Sequence, residues 1–155
     1  FEQKLPSMAG KLAIVTGTTT GTGFVAARTM ARKGASLLLL NRRSPRADAA
    51  VGELRSCLPE AQVVQWCNLD DKAPIFQLAP GKQVLMQVEC DLASFQSVRK
   101  AAAWLRKACR ECGVDVLCNN AGLYLRTFPR SGYRHTRVHC RDNPAGSLRG
   151  FCVWW

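Results

Sequence analysis

At 155 residues the chain is long enough for one domain with a real core and too short for two. With 47% hydrophobic and 21% charged residues it is not a disordered chain, and no apolar run approaches the length needed to cross a bilayer. A net charge of +11 raises a nucleic-acid interface, but six arginines against one aspartate from residue 123 onward carry about half of the excess, and the rest is scattered, which argues against a dedicated nucleic-acid surface.

The chain opens on Phe1, shows no charged-then-apolar leader pattern, and offers Met8 as a candidate start. Residues 11–16 (KLAIVT) form an apolar run into Gly17 and read as a buried strand. Residues 23–33 follow as a helix with Phe24, Ala27, Met30 and Ala31 on one side and Gly34 as its stop. A second strand spans 36–40, and its unbroken apolarity fits a parallel sheet covered on both faces. Residues 46–57 have helical composition and end before Pro59.

Two strand candidates then stand where one is expected, 63–67 and 84–90, separated by a loop at 72–81 that contains two prolines. Phe95, Val98, Ala102, Leu105 and Cys109 recur at helical steps behind the N-cap candidate Ser94, and Gly113 ends that helix. A last strand, 114–118, runs into Asn119-Asn120-Ala121-Gly122. Beyond it no periodicity remains. The alternation predicts an α/β fold, a doubly wound parallel sheet truncated after its fourth strand. Of the eight cysteines, Cys67, Cys90 and Cys118 sit in apolar strands, and the pair Cys109 and Cys112 lacks a second pair at zinc spacing. Structural thiols in a reducing cytoplasm are therefore expected, with no metal site.

The stretch Thr16-Gly17-Thr18-Thr19-Thr20-Gly21-Thr22-Gly23 lies between a strand and a helix. Gly17 lets the chain turn off the strand. Gly21 and Gly23 remove side chains where backbone must approach a pyrophosphate and helix must pack on sheet. The N–H groups of the helix start would face the phosphates, with Thr18, Thr19 and Thr22 adding hydroxyls. At the end of the second strand Asn41-Arg42-Arg43 offers no carboxylate for a ribose 2′-hydroxyl. A guanidinium there pairs with a 2′-phosphate, which favours NADP(H) over NAD(H).

The spacing T-G-x-x-x-G-x-G, with N-N-A-G at residues 119–122, resembles the short-chain dehydrogenase/reductase family over about residues 9–124. Residues 91–99 (DLASFQSVR) look most like its retinol-dehydrogenase-like and protochlorophyllide-reductase-like branch. The resemblance implies a Rossmann-like NADP(H)-binding half-domain in which Asp91 and Leu92 border the adenine. It also implies that Asn119, Asn120, Ala121 and Gly122 stabilise the sheet and line the ribose side. Thr22 stands where the family carries an aliphatic residue, and slightly looser packing under the helix start is expected. Asn68-Leu69-Asp70 rivals Asp91, and residues 68–81 look like an insertion.

The family's chemistry uses a Tyr-x-x-x-Lys pair on a later helix. Residues 125–155 contain no lysine, and Tyr133 with Arg137 stands too near Asn119 to substitute. The expectation is therefore an NADP(H)-dependent oxidoreductase by resemblance, inactive as this chain alone, with no catalytic residue in it. An irregular basic tail at 125–155 is expected to come from altered reading or to dock a partner. The last strand is expected to form an uncovered, aggregation-prone edge. A non-catalytic dinucleotide-binding module and a basic nucleic-acid-binding protein are the alternatives. Substrate and oligomeric state are not readable.

Overall fold

The computed structural model describes residues 4–58, 60–70, 76 and 82–122. Eight elements follow in chain order: β1 (Leu12–Thr16), α1 (Gly21–Arg32), β2 (Ser36–Asn41), α2 (Pro45–Ser56), β3 (Gln62–Val64), β4 (Val84–Glu89), α3 (Phe95–Ala108) and β5 (Val116–Cys118). All strands are parallel and form one sheet in the order β3-β4-β2-β1-β5.

The two faces of the sheet are read off the alternation of side chains along each strand. Ile14, Leu38, Met86 and Val88 pack with Trp104 and Leu105 of α3. Ala13, Val15, Leu37, Leu39 and Leu85 pack with Ala27 and Ala31 of α1 and Leu54 of α2. Leu37, Leu38 and Leu39 have no exposed surface, each worth about 2 kcal/mol of burial. That both faces are covered explains why β2 reads as a continuous apolar run.

The sequence-predicted elements all appear, with shifted ends. Helix α1 begins two residues earlier than periodicity suggests, at Gly21 behind Thr20. Ser94 does cap α3, its hydroxyl accepting from the Ser97 N–H at 3.3 Å. The doubled candidate resolves into two strands, so the sheet holds five rather than four. β4 takes the place beside β2, and β3 is added outside it. β3 ends at Val64, three residues short of the predicted end. The predicted loop 72–81, except for Phe76, lies outside the described residues, as do the tail 125–155 with Tyr133 and Arg137. Phe76 packs edge-on against Trp104 and donates its N–H to the Ala108 carbonyl.

Strand order places the site. From β1 the chain steps to β2 on one side and returns after α3 to β5 on the other, leaving a switch point between β1 and β5. The segments leaving the carboxyl ends of those two strands are the glycine-rich turn and the Asn119–Gly122 run. Among the described residues no helix is long and apolar enough to cross a membrane.

Candidate functional site

The glycine turn is fastened from three sides. Gly17 has φ +67°, and a Cβ there would lie 2.9 Å from both Cα and Cβ of Ala121. Its N–H donates to the Leu40 carbonyl. The Thr16 hydroxyl accepts from the N–H groups of Asn120 (3.1 Å) and Ala121 (3.0 Å). Asn120 reaches back, its Nδ2 donating to the carbonyls of Thr16 (3.0 Å) and Gly17 (3.1 Å). Gly23 is buried beneath this amide, and a Cβ there would run into Asn120 Nδ2 and the Gly17 carbonyl. The N-N-A-G run is thus the other half of the turn.

Two threonines have different partners from those the sequence suggests. Thr18 is fully buried, its N–H donating to Asn41 Oδ1 (3.0 Å) and its hydroxyl accepting from Asn41 Nδ2 (2.8 Å). It faces inward because β2 supplies a matching amide. The Thr22 hydroxyl donates to Asn120 Oδ1 at 2.9 Å. The residue at which looser packing is expected thus bonds the Asn120 amide. Thr19 is half-buried and makes no side-chain hydrogen bond among the described residues, and Gly21, at φ +64°, has open space where a Cβ would stand.

Above that open space the start of α1 has no side-chain cap and no acidic residue in its first turn. Its N–H groups and the positive end of its dipole are left for an anion, and the missing Cβ at Gly21 lets one approach. The uncapped start and the open space are compatible with a phosphate-bearing ligand.

At the end of β2 the three predicted residues divide. Asn41 is 4% exposed and turned inward, where Nδ2 also donates to Gln87 Oε1 at 3.3 Å. It holds Thr18 and does not face the open site. Arg42 is exposed and makes no ion pair among the described residues. Arg43 is engaged: Nε donates to Glu89 Oε2 at 2.7 Å, and its guanidinium lies 5.0 Å over the Trp66 ring. Glu89 was not legible as a site residue. It is brought to the end of β2 by the pairing of Asn41 with Glu89 across β2 and β4.

Asp91 follows β4 and is half-buried, with Oδ1 accepting from the Ala93 N–H (3.0 Å) and its own N–H donating to the Ser97 hydroxyl (2.9 Å). Leu92 packs against the α3-side core. The rival Asn68-Leu69-Asp70 follows the outer strand β3, with Asp70 paired to Lys100 at 2.6 Å. Asp91 is therefore one strand nearer the switch point. Asn119 and Gly122 are exposed at the mouth.

Under β1, the Asp115 carboxylate accepts from the Leu12 N–H at 2.8 Å with Lys11 beside it, and this holds its pKa below the ordinary aspartate value. Burial raises the thiols of Cys67 and Cys90 and pushes Cys109 up to about 11, with Cys112 adding to the rise. Among the described residues no group of three or more histidine, cysteine or acidic side chains could hold a metal ion.

A parallel sheet covered on both faces, with a glycine-rich strand-to-helix turn at its switch point, defines a nucleotide-binding α/β unit of the Rossmann kind. The short chain dehydrogenase family model matches residues 11–81. A short chain dehydrogenase/reductase of Gibberella zeae, dpfgH, is 31% identical over 96% of this chain and 37% of its own length. Human retinol dehydrogenase 14 is 33% identical over 76% of this chain and 32% of its own length. L-sorbose reductase from Gluconobacter frateurii, solved with NADPH and L-sorbose, is 25% identical over 88% of this chain and 39% of that chain, with TM-score 0.51. Through this part the chain belongs to the short-chain dehydrogenase/reductase family, an oxidoreductase family, and it spans between 25% and 38% of the length of the curated relatives it matches.

Proposed function

We propose that residues 9–124 are the NADP(H)-binding unit of a short-chain oxidoreductase. The observation that carries this is Arg42, exposed at the end of β2, one strand from the glycine turn, and making no ion pair among the described residues. There a guanidinium meets a ribose 2′-phosphate with two parallel hydrogen bonds. The uncapped start of α1 takes the pyrophosphate, with Gly21 leaving room for it and Thr19 adding its hydroxyl, while Gly23 makes room for the Asn120 amide beneath. Asp91 and Leu92 border the adenine, and Asn119, Ala121 and Gly122 pass along the ribose. Thr18, Asn41, Thr22 and Asn120 act one layer further in, holding the turn. The NADPH in the L-sorbose reductase structure supports the same choice of dinucleotide.

When bound, the nicotinamide exchanges a hydride with a carbonyl or alcohol. This chain's described residues bind and orient; they contain no tyrosine, so they supply no phenol for the accompanying proton. Neither tyrosine of the chain, Tyr124 or Tyr133, is followed four residues on by a lysine, and that favours dinucleotide binding without turnover. Residues 68–81 are an insertion in this reading.

The test is a fluorescence titration of the chain with NADPH and with NADH. NADPH is expected to bind more tightly, and Arg42→Ala to weaken it by about tenfold or more while NADH shifts by less than about twofold. Equal affinity for both dinucleotides in the parent, unmoved by Arg42→Ala, would defeat the NADP(H) assignment.

A further inference from the structure

Resting on that reading, we propose that Glu89 is a specificity-determining residue: by holding Arg43 it limits how strongly the chain prefers a 2′-phosphorylated dinucleotide. Two consecutive arginines follow β2, both of them exposed, yet Arg43 is engaged by a carboxylate while Arg42 makes no ion pair among the described residues. Asn41 pairs with Glu89 in the parallel register of β2 and β4, so the Glu89 side chain leaves the sheet beside the start of the β2–α2 connection. Arg43 sits two residues beyond Asn41 and meets that carboxylate at 2.7 Å through Nε. On its other side the guanidinium lies against the Trp66 ring at 5.0 Å. Trp66 is itself fixed, its Nε1 donating to Asp48 Oδ1 at 2.8 Å from the first turn of α2. The arginine is thus gripped by a carboxylate and an aromatic face, and the aromatic side comes from the segment that follows β3.

A 2′-phosphate arriving at Arg42 can recruit Arg43 only by taking it from Glu89, and it must lie near the Glu89 charge while doing so. A 2′-hydroxyl meets neither cost, because it needs no cation and carries no charge for Glu89 to repel. Glu89 therefore weakens NADPH binding while leaving NADH binding nearly untouched. The sequence places no acidic residue at the end of β2, and the pairing of strands supplies one from β4. The device leaves the chain with a modest preference where two presented arginines would give a strong one.

The experiment titrates the chain with NADPH and NADH in the parent, Glu89→Gln, Arg43→Ala and the double variant, near physiological salt. Glu89→Gln is expected to tighten NADPH about fivefold and leave NADH within about twofold. In the Arg43→Ala background the same substitution should change NADPH by less than about twofold, the residue of a screened field. An unchanged NADPH-to-NADH ratio in Glu89→Gln would overturn the proposal. So would an equal gain with Arg43 absent, since the effect would then be bulk charge. If the parent shows no NADPH preference and Arg42→Ala is silent, it is the cofactor assignment that falls, and the proposal falls with it.

Discussion

Gly23→Ala is the substitution that most directly probes the turn. In an ordinary helix interior it would stabilise by about 1 kcal/mol, because alanine is the better helix former. Here Gly23 is buried and its Cβ would meet the Asn120 amide and the Gly17 carbonyl. The amide can move only by giving up its bonds to the carbonyls of Thr16 and Gly17, at about 1 kcal/mol each, and the bond from Thr22 goes with them. The backbone carbonyl cannot rotate away, and such overpacking costs about 1–3 kcal/mol. Against the gain of about 1, the net is a loss of about 2–4 kcal/mol.

Gly52 provides the control within the same fold. It lies in α2, exposed, with nothing within 4 Å of where a Cβ would stand. Gly52→Ala should therefore show the helix gain alone. Urea unfolding of the parent and both variants reads the difference as midpoint shifts of opposite sign at unchanged slope. A Gly23→Ala chain as stable as Gly52→Ala would refute the claim that Asn120 and the turn are one packed unit.

Asn41→Ala strips the buried Thr18 N–H of its acceptor and should cost about 2–3 kcal/mol in urea unfolding, far more than an exposed asparagine would. The folded-state pKa of Asp115 is depressed, so its contribution to stability is present above the ordinary aspartate range and is lost as pH falls through the folded value. The unfolding midpoints of the parent and Asp115→Ala should accordingly differ near about pH 7, and the difference should shrink as pH falls below the ordinary aspartate range. Because burial pushes the Cys109 thiol up to about 11, brief alkylation near about pH 8 followed by mass spectrometry should label Cys112 ahead of Cys109.

Much of this was legible because it is local. The turn shows itself as glycines at fixed spacing between an apolar run and a helical one, and Ser94 shows itself as a polar residue ahead of helical periodicity. What one sequence cannot carry is which side chains a sheet brings together. Thr18 and Asn41 both looked available for a ligand, yet they find each other across neighbouring strands and are consumed. Arg43 looked like a second phosphate ligand until β4 placed Glu89 against it. A signal for this existed: Gln87 and Glu89 interrupt an otherwise apolar strand at period two, and polar residues alternating on a strand expected to be buried on both faces demand partners. The partners themselves depend on register, which is a tertiary fact.

The turn's geometry also depends on one of the two least buried strands in the sheet. β5 pairs with β1 over only three residues, and Leu117 on it is 60% exposed. Yet the residues immediately after it supply Asn120 and Ala121, which fix Thr16, Gly17 and Gly23 about a hundred positions earlier in the chain. Local opening is cheapest where few apolar contacts are broken, so fraying should begin at β5 and reach the turn before it reaches the strands at the centre. A ligand that needs the closed turn then binds only the population in which β5 is docked, and by mass action it must stabilise that docking by an amount that grows with the logarithm of one plus its concentration over its dissociation constant. Dinucleotide affinity and the integrity of the β1–β5 pairing are in this way one equilibrium, with the Asn120 amide as the contact through which each is felt by the other.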